Sequence, residues 1–338
     1  MKDLKNTQHR DTKLMIKDIY IYLVLLAVVV IFSVIKLDSV EMFGKGHFLS
    51  PHSLISLARQ SAPIISISCG FTLIMIAGYM DLSVGSAMSL CGVVYALVVR
   101  SGGSFLLGFA AAILVGILCG FINGMLVMKL RITPVIATLV TMNLFKGTAL
   151  LIVPDGISAI KSVEGAKLPE WMSYYARNDA LLGLPAAFIV SIVLVLVIAI
   201  IQRKTVIGKY AAAIGGNSTA AELSGINVVK IVRVLYIITG ILSAFAGVAL
   251  ASYNSLGNPL AGDGMETDCI IAVLLGGTAF TGGEGSVVKS VIGAVIIMCL
   301  TTGLLTVIEP YYQNFAKSLI LIFAVTINHL LSRQKICA

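Results

Sequence analysis

The side chains that could carry out chemistry are few and scattered in this chain. His9, His47, His52 and His329 lie too far apart to suggest a metal site, and neither H-E-x-x-H nor G-x-S-x-G occurs. Cys69, Cys91, Cys119, Cys269, Cys299 and Cys337 fall mostly inside apolar runs and never as C-x-x-C. They read as small buried hydrophobes, not as zinc or redox ligands. The segment Gly282 to Ser290, GGEGSVVKS, nearly spells the phosphate-binding pattern G-x-x-x-x-G-K-S. Val288 stands where the second glycine belongs, its side chain would obstruct a phosphate, and an apolar run follows in place of a nucleotide-binding domain. No catalytic residue, metal ligand or bound cofactor is therefore expected in this chain.

The remaining polar candidates sit within or between apolar runs. Asp81 lies in GYMDLSVGS (Gly78 to Ser86), and a carboxylate near membrane depth costs about 2.5–3.5 kcal/mol on insertion scales. Two roles are open to it. With Ser83 it could accept from backbone N–H groups at the start of the next helix, or, with Leu82, Ser83 and Gly85, it could offer acceptors along a path through the bilayer. A second interruption, GGTAFTGGEGS, contains Gly276, Gly277, Gly282 and Gly283. Non-helical backbone at membrane depth is tolerated where it is buried in protein or lines a watery cavity. Both interruptions are thus candidates for a translocation path. Gly116, Gly120 and Gly124 are spaced by four beside Asn123, a smooth stripe that favours helix packing; Asn123 joins the path candidates. Lys146 and Asp268 are expected to pair or to snorkel.

The elements that must position these residues are transmembrane helices. The chain has 338 residues, 58% hydrophobic and 12% charged, with a mean hydropathy of +1.00, far from a soluble domain. Apolar runs near 19–36, 62–80, 83–99, 104–128, 133–153, 181–201, 229–252, 268–280, 287–307 and 312–331 suggest about ten spans in one transmembrane domain, residues 1–338. An even number places both ends on one side. The basic residues of the N-terminus (1–18), Lys129 with Arg131, Arg203 to Arg233, and Arg333 with Lys335 then share one face, the cytoplasmic one by the positive-inside rule. Residues 154–180 form an external loop, with Trp171, Tyr174 and Tyr175 suited to the interface. The net charge of +8 is spread along span ends, which excludes a nucleic-acid partner. Spans two to five and seven to ten have the layout of an inverted repeat, in which Asp81–Ser86 and Gly276–Ser286 are taken as matching interruptions.

Between the sixth and seventh spans lies a polar island, Gln202 to Lys230, QRKTVIGKYAAAIGGNSTAAELSGINVVK. Ser218 to Gly225 has a capping residue, helix formers and a terminating glycine, so a short surface helix is expected. Gly215, Gly216 and the alanines at 211 to 213 allow close approach of a partner. A plain solvated connector is the other reading of the same residues.

Here the sequence resembles a known family. The segment GKYAAAIGGNSTAAELSGINVVK is similar to the cytoplasmic loop of sugar-type ABC importer permeases, the family of the ribose permease. DLSVGS at 81–86, ITPVIATLVTMNLFKG at 132–147, LAGDGMETDCIIAVLLGGTAFTGGEGS at 260–286 and YYQNFAKSLILIFAV at 311–325 follow in the family's order. The resemblance implies an all-α permease that carries a monosaccharide across the bacterial inner membrane without itself being an enzyme. It implies a second permease copy or a sister permease, an ABC ATPase subunit that binds ATP and Mg, and an extracytoplasmic sugar-binding protein. It also implies that Gly208, Gly215, Gly216, Asn217, Ala220, Ala221, Glu222 and Gly225 couple to the ATPase, with Ala220, Ala221 and Gly225 as the A-A-x-x-x-G signature and Thr219 where many permeases have Glu. The alternative class is an ion-driven secondary transporter, which broken helices also suit; Asp81, nearly alone at depth, argues against it.

Overall fold

The computed structural model of the chain describes residues 21–31, 33, 48–153, 171–177, 179–181 and 183–304, with positions 312, 315, 318, 319, 322 and 326 beyond them. The N-terminal 1–18 segment, all of 154–170 and most of the expected last span lie outside the described residues.

The chain is helical. In order come α1 (Ile21–Ile31), α2 (Pro51–Ile76), α3 (Val84–Arg100), α4 (Phe105–Met128), α5 (Pro134–Ile152), α6 (Trp171–Arg177), α7 (Ala186–Lys204), α8 (Val206–Gly216), α9 (Ser218–Leu223), α10 (Val228–Asn254), α11 (Met265–Leu275) and α12 (Val287–Leu304). A small antiparallel pair, β1 (Asp179–Leu181) with β2 (Leu184–Pro185), precedes α7. Among the described residues, α2, α4, α5, α7 and α10 are long and apolar enough to cross a membrane.

Most expected boundaries fall within a few residues of these. The exception is α2, expected from residue 62 but starting at Pro51. Ser50 accepts from the Ser53 N–H, and proline at the first helical position needs no N–H partner, so the helix begins despite His52, Arg59 and Gln60. Of these five long helices, α2 and α10 are the most buried. In α2, 89% of the most apolar stretch is buried, and in α10 67%, against 28%, 28% and 22% in α4, α5 and α7. The hydroxyls of Ser66, Thr72 and Thr239 on these two helices donate to carbonyls one turn back, which satisfies them inside the bundle.

The packing is close because the facing residues are small. α10 lies against α2, α3 and α4, while α2 also contacts α7, α11 and α12. A Cβ on Gly116 would overlap the Gly240 carbonyl, one on Gly120 the Tyr236 carbonyl, and one on Gly124 would sit 3.1 Å from the Arg233 Cα. The glycine stripe on α4 is thus the seat of α10. At one end of the bundle α6 is tied to α10 where Arg177 Nε donates to the Tyr253 carbonyl at 2.6 Å. Tyr175 packs on Phe105 there, ring centroids 5.4 Å apart, so it is part of the fold, while Tyr174 is exposed.

Candidate functional site

The polar island folds as two short helices. Asn217 breaks between them, with φ −160° and ψ 102°, and its Oδ1 accepts from the Ala220 N–H at 2.9 Å. The cap of α9 is therefore Asn217 and not Ser218, which is the first helical residue. Gly225, at φ 85°, ends α9. Asn227 then caps α10 by accepting from the Lys230 N–H.

The last turn of α8 enters a junction of three segments. The Gly283 N–H donates to the Ile76 carbonyl at 2.8 Å, joining the α11–α12 loop to the end of α2. Gly215 fits between them: a Cβ there would overlap both the Ile76 oxygen and the Gly283 nitrogen. A Cβ on Gly282 would lie 2.8 Å from the Gly78 Cα and 3.0 Å from the Gly215 Cα. Gly78, Gly282 and Gly283 all have φ between 82° and 85°, a region that glycine reaches without penalty. Gln202, on the last turn of α7, adds a clamp. Its Nε2 donates to the Gly285 carbonyl at 2.8 Å and its Oε1 accepts from the Val287 N–H at 3.0 Å, so one amide serves a loop carbonyl and an otherwise orphaned N–H at the start of α12.

Beyond the junction the chain turns back into the bundle. Asp81 is buried, and its Oδ1 accepts from the Ser83 N–H at 2.9 Å and the Ser83 hydroxyl at 2.6 Å. Asn123 Nδ2 donates to the Ser83 hydroxyl at 2.7 Å and approaches both Asp81 oxygens at 3.2 Å. Thr141 donates to Asn123 Oδ1 at 2.6 Å. The carboxylate closes the turn ahead of Ser83, the α3 cap, and ties α3, α4 and α5 together. Leu82 is half-buried beside it. Gly85 meets the loop before α11: a Cβ on Gly85 would overlap the Gly262 carbonyl, and a Cβ on Gly262 the Gly85 carbonyl.

The family profile described as a branched-chain amino acid transport system / permease component matches residues 53–325. The chain belongs to this permease family. Ribose import permease protein RbsC of Haemophilus influenzae is 35% identical over 290 residues, 86% of this chain and 88% of that protein. RbsC of Bacillus subtilis is 34% identical, covering 85% and 87%, and the D-allose transport system permease protein AlsC of Escherichia coli 33%, covering 87% and 89%. No solved structure matched the chain.

Within this permease the candidate coupling residues divide by direction. Gly216, Asn217, Ala220, Glu222 and Gly225 are exposed, whereas Gly208 and Ala221 are buried and Gly215 fills the junction. Gly208 lies against the Gln202 backbone, where a Cβ would overlap the Gln202 carbonyl. The most exposed apolar side chain on this surface is Leu223, at 85%, joined by Val206 and Tyr210. None of these three stood out in the sequence, because an apolar residue two positions from a glycine reads as helix packing. An open cavity of about 770 Å³ lies alongside, lined by Glu222, Gly225, Asn227, Lys230 and Arg233.

The two interruptions meet where Gly282 packs on Gly78, three residues before Asp81. Asp81, Ser83, Gly85 and Asn123 lie together inside the bundle; Gly282 and Gly283 lie at the α8 junction, and Gly276 packs on α12, where a Cβ would come 2.6 Å from the Ser290 Cα. Gly277, at φ 77°, opens the loop next to it. Lys146 pairs with Asp263 at 2.6 Å and not with Asp268. The cysteines at 69, 91, 119, 269 and 299 are free and buried, and no group of residues suited to a metal ion occurs among the described residues.

Proposed function

We propose that this permease is the membrane subunit of an ATP-driven importer for a monosaccharide or a related small polyhydroxylated molecule, with ribose as the first candidate. Its relatives named for ribose, D-allose and fructose import support the substrate class. The chain performs no hydrolysis; ATP and Mg belong to a partner ATPase that docks on α8 and α9 from the cytoplasm, and a sugar-binding protein docks on the outer face. The protein works as a pair, with a second copy or a sister permease, in the bacterial inner membrane with both termini cytoplasmic.

The observation that carries this reading is the junction of α8 with Ile76 and Gly283. Its contacts are backbone to backbone, so a displacement of α8 reaches the end of α2 and the start of α12 with no flexible side chain to absorb it. The exposed face of α8–α9, with Leu223, Tyr210 and Glu222, is the docking surface. An inverted repeat fits this function, since α2 contacts α11 and α12 as α10 contacts α3 and α4. In that pairing the counterpart of the break at 77–83 is the loop at 255–264, which Gly85 meets at Gly262, and not Gly276–Ser286.

The test is uptake by proteoliposomes holding the permease with its ATPase and binding protein. Labelled ribose, allose and fructose are the probes. Uptake of at least one that survives collapse of ion gradients and stops on ATP depletion is expected. Uptake driven by an ion gradient without ATP refutes the reading in favour of a secondary transporter.

A further inference from the structure

The Lys146–Asp263 pair is only partly covered by this chain, with side chains 33% and 49% exposed. Two helices measure its depth. Lys146 stands twelve residues beyond Pro134 in α5, about 18 Å along an axis that rises about 1.5 Å per residue. On the other partner's side, the Gly262 N–H donates to the Ser89 hydroxyl at 2.8 Å. Ser89 lies eleven residues before the end of α3 at Arg100, about 17 Å by the same rise. Both rulers put the pair near the middle of a hydrocarbon layer about 30 Å thick.

A half-exposed lysine, an exposed carboxylate and the non-helical backbone at Asp263 and Gly264 therefore lie open at mid-depth. Lipid tolerates neither the charges nor the backbone, whereas a water-filled cavity tolerates both. Neighbouring polarity runs the same way. Asn143, one turn before Lys146 on α5, is exposed, as is Gly264 beside Asp263, and Gly147 has open space where a Cβ would be. Elsewhere on α5 the exposed positions are apolar, at Val135, Ile136, Leu139, Val140, Leu144 and Leu151.

We propose that Lys146, Asp263 and Asn143 form a sugar-contacting station on the translocation path, where the ammonium donates to ligand hydroxyl oxygens and the carboxylate and amide accept from ligand hydroxyls. This assignment rests on the importer reading for its ligand class, while the exposure of the pair at mid-depth stands on the geometry alone. Because Asp263 belongs to the break between α10 and α11, movement of that break carries one half of the station relative to α5. The pair opens as a ligand passes and closes behind it.

Single cysteines at Asn143 and Asp263, in a Cys337→Ser background, are treated in cells with a membrane-impermeant cationic methanethiosulfonate. Leu114→Cys and Leu118→Cys, on the exposed apolar face of α4, are the controls. Modification at 143 and 263 at least tenfold faster than at the controls is expected, with slowing by the sugar that the complex transports. Equally slow modification at all four overturns the station whatever the permease carries. In proteoliposomes, Lys146→Met and Asp263→Asn are each expected to lower sugar uptake at least tenfold while the assembled complex is recovered in full. Full uptake restored by the exchange K146D/D263K would show the pair to be purely structural and overturn the proposal. Fast modification at 143 and 263 with no uptake of ribose, allose or fructose by the unaltered complex overturns the importer reading instead, and the sugar contact falls with it.

Discussion

Gly215 and Gly216 are adjacent, share the last turn of α8, and are expected to respond to the same substitution with opposite signs. At Gly215 a single added methyl overlaps two backbone atoms from different segments, the Ile76 oxygen and the Gly283 nitrogen. Neither can rotate away, so α8 must retreat. Overpacking of this kind costs about 1–3 kcal/mol. The retreat also strains the Gly283–Ile76 hydrogen bond of 2.8 Å, and leaving such a pair unsatisfied costs about 1–3 kcal/mol more. Helix propensity returns at most about 1 kcal/mol of this, so Gly215→Ala should destabilise by about 1–5 kcal/mol. At Gly216 nothing lies within 4 Å of the added atom, and Gly216→Ala should be neutral or stabilising by up to about 1 kcal/mol. Thermal unfolding of the detergent-purified permease, followed by size-exclusion chromatography, ranks the two directly. Replacing Gly216 with leucine extends the experiment to the exposed side: stability should hold while recovery of the bound ATPase falls. Equal melting of the two alanine variants would refute the junction as a rigid connection.

Two further outcomes follow from the same geometry. Gln202→Ala removes both bonds of the amide clamp and should cost about 1–3 kcal/mol per stranded backbone group, with faster hydrogen exchange at Val287; unchanged exchange there would exclude the clamp. In the buried network, Asp81→Asn keeps an oxygen for the Ser83 donors whereas Asp81→Ala strands them and leaves Asn123 Nδ2 only the Ser83 hydroxyl, so the alanine variant should be less stable by about 1–3 kcal/mol. An alanine variant as stable as the asparagine one would mean that the network contributes nothing to stability.

How much of this was legible depends on the range of the interactions involved. Hydropathy registers the composition of a local run, and it placed α3, α4, α5 and α10 to within a few residues. It missed the first turns of α2, where His52 is exposed and Arg59 and Gln60 are half-buried, because the Ser50 cap starts the helix whatever the hydropathy of the turns that follow. Capping chemistry found the surface helix but chose Ser218 over Asn217, since both residue types accept from N–H groups and backbone angles alone separate them. The residues of the buried network were picked out singly, at Asp81, Ser83 and Asn123; Thr141 was overlooked because a threonine in an apolar run carries no signal of its own.

The sequence by itself determined that the chain spans a membrane, where its main helices run, and that a polar island between two spans has glycines and alanines fit for close approach. Each of these rests on composition or spacing within a few turns of chain. Only the tertiary structure decided which way those small residues face: Gly215 inward to Ile76 and Gly283, Ala221 into the fold, Gly216 and Leu223 outward. Only it set Gly282 against Gly78, and gave Lys146 its partner in Asp263, 117 residues away. A glycine contributes no side chain to hydropathy, and a charge does not reveal its partner across such a distance, so their roles exist only once the helices have packed.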